Sequence, residues 1–408
     1  MSTVSWAEMW RVFGRIGVLS FGGPAAQIAL MQSELVDRLR WLEQAQFLRA
    51  LSLCMLLPGP EAMQLATYAG WRLRGVPGGL LAGLMFVLPG AAVIGALAAL
   101  YLSYGDVPAV QAAFLGIKAA VIVIVIQALI KVTQKALNGA IAWGLAVFAF
   151  AALFFLSLPY PLIIAVAALI GALTATGVAA ETAPPAKANT GKTSLIWLAL
   201  WAAPLALAYV MDAGFLLELG LFFSKLAVVT FGGAYAVLSY MTQEVVQNYG
   251  WIDTGAMIDA LGLAETTPGP LILVTQFVAI LAGHAQGGPG AAALAGLMAL
   301  WVTFTPCFLW IFVAGPFLDL IAARPRIAAA LQGITAAVVG VILNLALWFA
   351  LHILFPASPL SPSFAALDPV ALVLVAAAAV LMLGLKRGLP ETLALLAAVS
   401  TVFWAAGL

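Results

Sequence analysis

Apolar residues in this chain follow one another instead of alternating with polar ones, as in Val121-Ile122-Val123-Ile124-Val125-Ile126. A membrane barrel strand would alternate. Unbroken apolar stretches of about 20 residues instead predict helices that cross a bilayer. The pattern places spans near 78–104, 109–136, 140–158 and 160–178, a further one at 194–211, and four more near 290–316, 327–354, 369–385 and 389–407. Between residues 181 and 192 it gives way to Pro184-Pro185, Lys187, Asn189, Thr190 and Gly191, the composition of a flexible polar linker. The expected division is a first repeat at 1–178, a cytoplasmic linker at 179–193, a linking transmembrane helix at 194–211 and a second repeat at 212–408.

The word repeat is earned by alignment. Residues 21–60 and 231–270 match without a gap at an offset of 210, with 14 of 40 positions identical. Phe21-Gly22-Gly23 pairs with Phe231-Gly232-Gly233, Glu34 with Glu244, Trp41 with Trp251, and Pro58-Gly59-Pro60 with Pro268-Gly269-Pro270. The same offset pairs Arg15 with Lys225 and Ser20 with Thr230. Beyond small insertions, Leu81 to Met85 matches Leu294 to Met298, and Gly116 to Ala120 matches Gly333 to Ala337. Apolar bias aligns leucine with leucine, but it does not align Trp, Glu and two Pro-Gly-Pro corners at one spacing.

Composition narrows the class. Hydrophobic residues make up 64% of the 408 positions and charged residues 8%, with 17 Lys+Arg against 16 Asp+Glu. A soluble domain carries about 25% charged residues. A soluble globular protein, a disordered chain and a nucleic-acid binder are all excluded, the last because no basic surplus exists to neutralise phosphates. No secretory signal is expected, since Arg11 follows Glu8 inside the first apolar stretch. Cys54 and Cys307 both fall in apolar segments and read as packing residues, so neither a disulfide framework nor a metal cluster is expected.

The few charges also give an orientation, because cytoplasmic loops carry the excess of Lys and Arg. In the first half Arg38 and Arg40, Arg72 and Arg74, and Lys131 and Lys135 mark one side, while the turns at Asp106 and Pro159 have none. In the second half every comparison flips: the loop at 244–253 and the stretch at 356–368 are empty, while Arg324 and Arg326, and Lys386 and Arg387, fill the turns that were empty before. The fold class expected is therefore an all-α polytopic membrane protein, an inverted-topology repeat with re-entrant broken-helix hairpins. Residues 47–71 are too few for two spans between two positive loops, so they form one hairpin with Pro58-Gly59-Pro60 at its tip. Residues 6–36 form a second, with a plain span over 6–31 as the alternative. The count is nine crossings, N-terminus inside and C-terminus outside.

Broken helices persist in a membrane only where they are buried or line a cavity. Each break starts a half-helix whose free N–H groups and positive dipole end attract anions. One such motif alone is usually a kink, whereas two pairs at matched spacing point to a site. Candidate binding residues are Gly22, Gly23, Pro58, Gly59, Pro60, Gly232, Gly233, Pro268, Gly269 and Pro270, with Gln27 as a side-chain donor. Gln64, Gln276, Ser20, Thr230, Thr266 and Thr267 are further donors of the same kind. Arg15 and Lys225, six residues before their breaks, supply positive charge, against the alternative of snorkelling to the interface. Lys118 sits too deep to snorkel and either binds substrate or pairs with an acid. Glu61 and Glu265 flank the Pro-Gly-Pro corners and serve either proton coupling or an ion pair. Arg49 and Asp259 are repeat equivalents of opposite sign, expected near opposite faces and therefore not paired. Glu34 and Glu244 read as structural caps, and His284 and His352 fall on the outer side of the membrane.

Phe21 to Pro24, the Trp41 loop, Pro58 to Pro60, the run from Gly75 to Pro89 and their second copies resemble the chromate ion transporter family, over roughly 8–135 and 218–345. The resemblance implies a multi-pass protein of the bacterial inner membrane that exports chromate, or a related tetrahedral oxyanion, from the cytoplasm and confers chromate resistance. It implies no enzyme activity and no cofactor, and partners limited to the oxyanion and the lipid bilayer, with no nucleic acid. The family includes half-length chains that work in pairs, and a homodimer of this chain stays open. One departure stands out: Ala234 occupies the place of Pro24. Two other readings compete: an importer of sulfate or a relative that handles chromate by mimicry, and a membrane-embedded enzyme. The enzyme reading lacks a Ser–His pair or a His-Glu-x-x-His motif to carry it. No Walker-type loop is present either, and outward movement of a dianion is favoured by the membrane potential, by about 2.3 kcal/mol per charge per 100 mV.

Overall fold

The computed structural model describes residues 4–175, 190–231, 234–318, 320 and 324–407. Gly232, Gly233 and most of the linker at 179–193 lie outside the described residues. Every regular element among the described residues is helical. In chain order these are α1 Trp6–Leu19, α2 Gly23–Gln32, α3 Gln44–Leu56, α4 Glu61–Tyr104, α5 Pro108–Ala136, α6 Ala140–Phe154, α7 Tyr160–Leu173 and α8 Thr190–Val210. Then come α9 Gly214–Val229, α10 Ala234–Thr242, α11 Thr254–Thr266, α12 Val274–Ala314, α13 Pro325–Leu354, α14 Pro369–Ala379 and α15 Leu389–Ala405. Among the described residues, five segments are long and apolar enough to cross a membrane: Glu61–Tyr104, Pro108–Ala136, Thr190–Val210, Leu271–Phe317 and Pro325–Leu354. Four shorter apolar helices, Ala140–Phe154, Tyr160–Leu173, Pro369–Gly384 and Leu389–Ala405, stand where the remaining spans were expected. α6 stops short of the predicted 140–158, where Ser157 takes φ +48° and Pro159 has no N–H to continue a helix, and α7 begins at Tyr160, where the next span was expected.

Two of the long helices are not straight rods. In α4 the backbone leaves helical geometry at Arg74 and Gly75 (φ +61°, ψ −157°), a region open essentially to glycine alone. A Cβ on Gly70 would sit 2.2 Å from the Gly78 carbonyl oxygen, although eight residues along a straight helix span about 12 Å. The segments 61–73 and 76–104 therefore fold back on each other as a helical hairpin. α12 repeats this at Gly287 and Gly288 (φ +70°, ψ −158°), and a Cβ on Gly283 would lie 2.6 Å from the Ala291 carbonyl oxygen. Arg74 holds the first turn by donating to the Val4 carbonyl at 2.6 Å and lying over the Trp6 ring at 4.8 Å.

Local structure recurs elsewhere at the 210-residue spacing. α2 and α10 each run on into a π-helical turn, Ser33–Arg38 and Gln243–Asn248. The helices thus run on to the basic position Arg38 and into the loop expected at 244–253. The Trp41 N–H then donates to Leu35 and the Trp251 N–H to Val245, at 2.8 and 2.9 Å.

The chain forms two compact units, each drawn from both halves of the sequence. The first comprises residues 1–95, 164–237 and 267–335, and the second 96–163, 238–266 and 336–408. In the first, Phe13, Ile16, Met31, Phe47, Phe86, Phe223 and Phe277 are fully buried, and Trp197 stacks on Phe308 at 5.5 Å. In the second, α5 packs against α14 and α15. Gly116 lets its backbone approach the Leu396 carbonyl so closely that a Cβ would lie 2.2 Å away, the small-residue contact typical of helices in lipid.

Candidate functional site

All four helix breaks contribute to the first unit. α1 ends where the Ser20 hydroxyl donates back to the Ile16 carbonyl at 2.6 Å, and α9 ends where the Thr230 hydroxyl donates to Leu226 at the same distance. Gly22 and Gly23 then take φ +83° and +78°, and Pro24 fills the first turn of α2, where a missing N–H costs nothing. At the other two breaks Gly59 has φ +116° and Gly269 φ +88°.

The breaks are tied in crossed pairs. The Gly59 N–H donates to the Thr230 carbonyl at 2.8 Å, and the Gly269 N–H donates to the Ser20 carbonyl at 2.9 Å. Moving each residue of one bond by the repeat offset yields the other bond with the halves exchanged. Gln27, 2% exposed, adds its amide to one tie only: Nε2 donates to the Gly269 carbonyl at 2.7 Å and to the Ser20 carbonyl at 3.2 Å. Gln64 Nε2 donates to the Pro58 carbonyl at 2.7 Å, and Gln276 Nε2 to Ala91 at 3.1 Å. These three amide nitrogens therefore hold the breaks and the helices beside them in place. The sequence reading had offered them to a ligand.

One small cavity lies among these ties. Pro24 and Gln27 reach it from the first break, Pro60 and Glu61 from the second, Thr230 from the third and Pro270 from the fourth. Ala62 and Ile272, in the turns that follow the Pro-Gly-Pro corners, also line it, and first-turn amides have no intrahelical acceptor. In this conformation the cavity has room for about one water molecule.

Other candidates lie apart from it. Arg15 and Lys225 are exposed on equivalent faces of α1 and α9 and do not line the cavity. Arg15 Nη1 lies 3.8 Å from Glu34, which also accepts Arg38 Nε at 2.9 Å. Glu34 is therefore a shared ion-pair acceptor, where a helix cap had been expected. Glu244 accepts the Asn248 amide at 3.0 Å. Lys118 and Glu265 belong to the second unit. There Lys118 Nζ lies 3.3 Å from Asp259, a partner that sequence reasoning did not name because no local spacing connects positions 118 and 259.

The family model described as chromate transporter matches residues 7–172 and 217–405, one stretch in each half. The chain belongs to the chromate transporter family. A chromate transport protein of Pseudomonas aeruginosa is 34% identical over 357 residues, covering 83% of this chain and 80% of that one. One of Cupriavidus metallidurans is 31% identical over 343 residues, 83% and 81% of the two chains. An uncharacterized transporter of Bacillus subtilis is 32% identical over 142 residues, 34% of this chain but 71% of that protein. No solved structure matches. The chain is a multi-pass membrane transporter of this family and not an enzyme, and the membrane lipid is its surroundings.

Proposed function

We propose that this chain exports chromate, or a related tetrahedral oxyanion, from the cytoplasm across a bacterial inner membrane and so confers chromate resistance. The anion binds in the cavity between the four breaks, against the first-turn amides of the half-helices. The crossed Gly59–Thr230 and Gly269–Ser20 bonds carry this reading, because they gather four helix ends around one point. Gly22, Gly59 and Gly269 shape that point, and the Gly59 and Gly269 amides are spent on the ties. The donors left for an anion are those that begin the helices after each corner. Arg15 and Lys225 supply positive charge outside the cavity and raise the local anion concentration. Glu61 lines the cavity, and either an ion pair or a proton at its carboxyl offsets the repulsion it would exert on an entering dianion.

The cavity is too small for a tetrahedral oxyanion, so binding widens it by parting the breaks. Expelling a dianion against no gradient is favoured by about 4.6 kcal/mol per 100 mV, twice the single-charge value. The inverted topology, with nine crossings and the N-terminus inside, puts matching half-helices on both sides of one site, as alternating access requires. Radiolabelled chromate flux in proteoliposomes at a set potential, with sulfate as competitor, tests the reading. Potential-driven efflux from the cytoplasmic side is expected. Flux only in the opposite direction would establish the importer instead.

A further inference from the structure

The second unit holds a buried charge cluster with no part in the anion cavity. Asp259 on α11 is 4% exposed. Its Oδ2 lies 3.3 Å from Lys118 Nζ on α5 and accepts the Tyr101 hydroxyl of α4 at 3.0 Å. Its Oδ1 is buried and meets no donor among the described residues. Asp253 caps α11 by accepting the Ala256 N–H at 2.9 Å. It flanks the same ammonium across Gly255, where a Cβ would lie 3.0 Å from Asp253 Oδ1 and 3.7 Å from Lys118 Nζ. Lys118, Tyr101 and Asp253 are the charged and titratable groups that face Asp259 from α5, α4 and the start of α11. Asp106 stands beyond Tyr101 in the α4–α5 turn.

The cluster is more than scaffold. In the sequence repeat the counterparts of Asp259 and Lys118 are Arg49 and Thr335, so neither the carboxylate nor the lysine recurs in the other copy. Ionisable groups held among apolar helices are costly and mark proton relays in transporters. The arrangement of the carboxylate also matters: Oδ2 is saturated by two donors, while Oδ1 is open. A proton adds to Oδ1 without displacing Lys118 or Tyr101.

We propose that Asp259 takes up one proton from the aqueous phase on Oδ1 and releases it on the other side once in each transport cycle, in the same direction as the anion. With the proton on, the Lys118 charge is no longer balanced by Asp259, and the protein gains one unit of positive charge. Proton and anion each favour the conformations in which the other is bound, and the coupling is reciprocal. Proton and dianion load together, so a cycle carries one net negative charge. This inference rests on the reading that the chain moves a dianion.

The test is chromate flux in proteoliposomes at equal alkaline pH on both faces, with a trapped pH dye and a clamped potential. The potential that halts net flux is expected to change by about 59 mV per tenfold chromate gradient, the single-charge value, with protons moving alongside chromate. In Asp259→Asn the proton signal disappears and the slope falls to about 30 mV, the two-charge value. The double variant Asp259→Asn with Lys118→Gln, which leaves no buried charge unpaired, is expected to show the same slope. A wild-type slope of about 30 mV without proton movement overturns the inference while leaving chromate transport intact. So does proton movement that survives in both Asp259 variants but vanishes in Glu61→Gln. Absence of any chromate flux in the wild type overturns the transport reading and this inference with it.

Discussion

Replacing Gln27 by leucine removes a clamp while nearly preserving its volume. Gln27 is 2% exposed and donates to the Gly269 carbonyl at 2.7 Å and the Ser20 carbonyl at 3.2 Å. Ser20 keeps a partner, since the Gly269 N–H still donates to it at 2.9 Å. The Gly269 carbonyl is left buried without that donor, which costs about 1–3 kcal/mol. Leucine recovers part of this through apolar burial, so a net loss of about 2 kcal/mol is expected. At about 2–4 °C per kcal/mol for a unit of this size, the melting temperature in detergent falls by about 4–8 °C. Gln32→Leu is the control, because Gln32 makes only an exposed 3.3 Å bond to Gln44 and should shift stability by less than about 0.5 kcal/mol. Thermal unfolding followed by size-exclusion chromatography reads both. Equal melting temperatures for the two variants would refute the idea that Gln27 holds the first and fourth breaks together.

Gly59→Ala is expected to destabilise more than Gly23→Ala in the same assay. Both adopt positive φ, which costs an alanine about 1–2 kcal/mol, but a Cβ on Gly59 also meets Gln64 Nε2 at 2.9 Å and Cys307 Sγ at 3.0 Å, while one on Gly23 meets nothing within 4 Å. Arg15→Ala and Lys225→Ala should abolish chromate protection in growth assays while immunoblots show the protein still in the membrane; normal resistance in both removes these cations from the mechanism. Asp368→Ala removes the cap on the Ala371 N–H at 2.9 Å and should cost about 1 kcal/mol of stability with chromate flux unchanged.

Much of the helical layout was legible because the signals are local. Glycine and proline at 22–24, 58–60 and 268–270 dictate breaks, and apolar length dictates helices. Even the turn at Arg74 and Gly75 showed in the sequence, as a positive loop between two apolar stretches. What stayed hidden depends on contacts between distant positions. Gln27 and an oxyanion donor look alike in one dimension, and only the fold shows that its amide is spent on Gly269, 242 positions away. The Asp259–Lys118 pair was missed for the same reason: repeat logic compared Asp259 with Arg49 and so asked about the wrong partner. The π-turns at Ser33–Arg38 and Gln243–Asn248 have no composition signal, and they carry the helices past the point where loops were drawn.

The crossed ties limit how the cavity can open. One tie joins the second break to the third through Gly59 and Thr230, and the other joins the fourth to the first through Gly269 and Ser20. Their backbone bonds are equivalent, at 2.8 and 2.9 Å, but the side chains beside them differ. The repeat counterpart of Gln27 is Val237, and that of Pro24 is Ala234. Of the two Gln27 hydrogen bonds, the one to the Gly269 carbonyl crosses from the first break to the fourth, while the one to Ser20 stays within the first break. At about 1 kcal/mol net for that crossing bond, it changes how often the first–fourth tie parts by a factor of about 5. Removing the Gln27 amide is therefore expected to let the first–fourth tie part more often at rest. On the proposed reading, an anion that enters between the breaks supplies the energy to part the ties, and Gln27 sets part of what the first–fourth side requires.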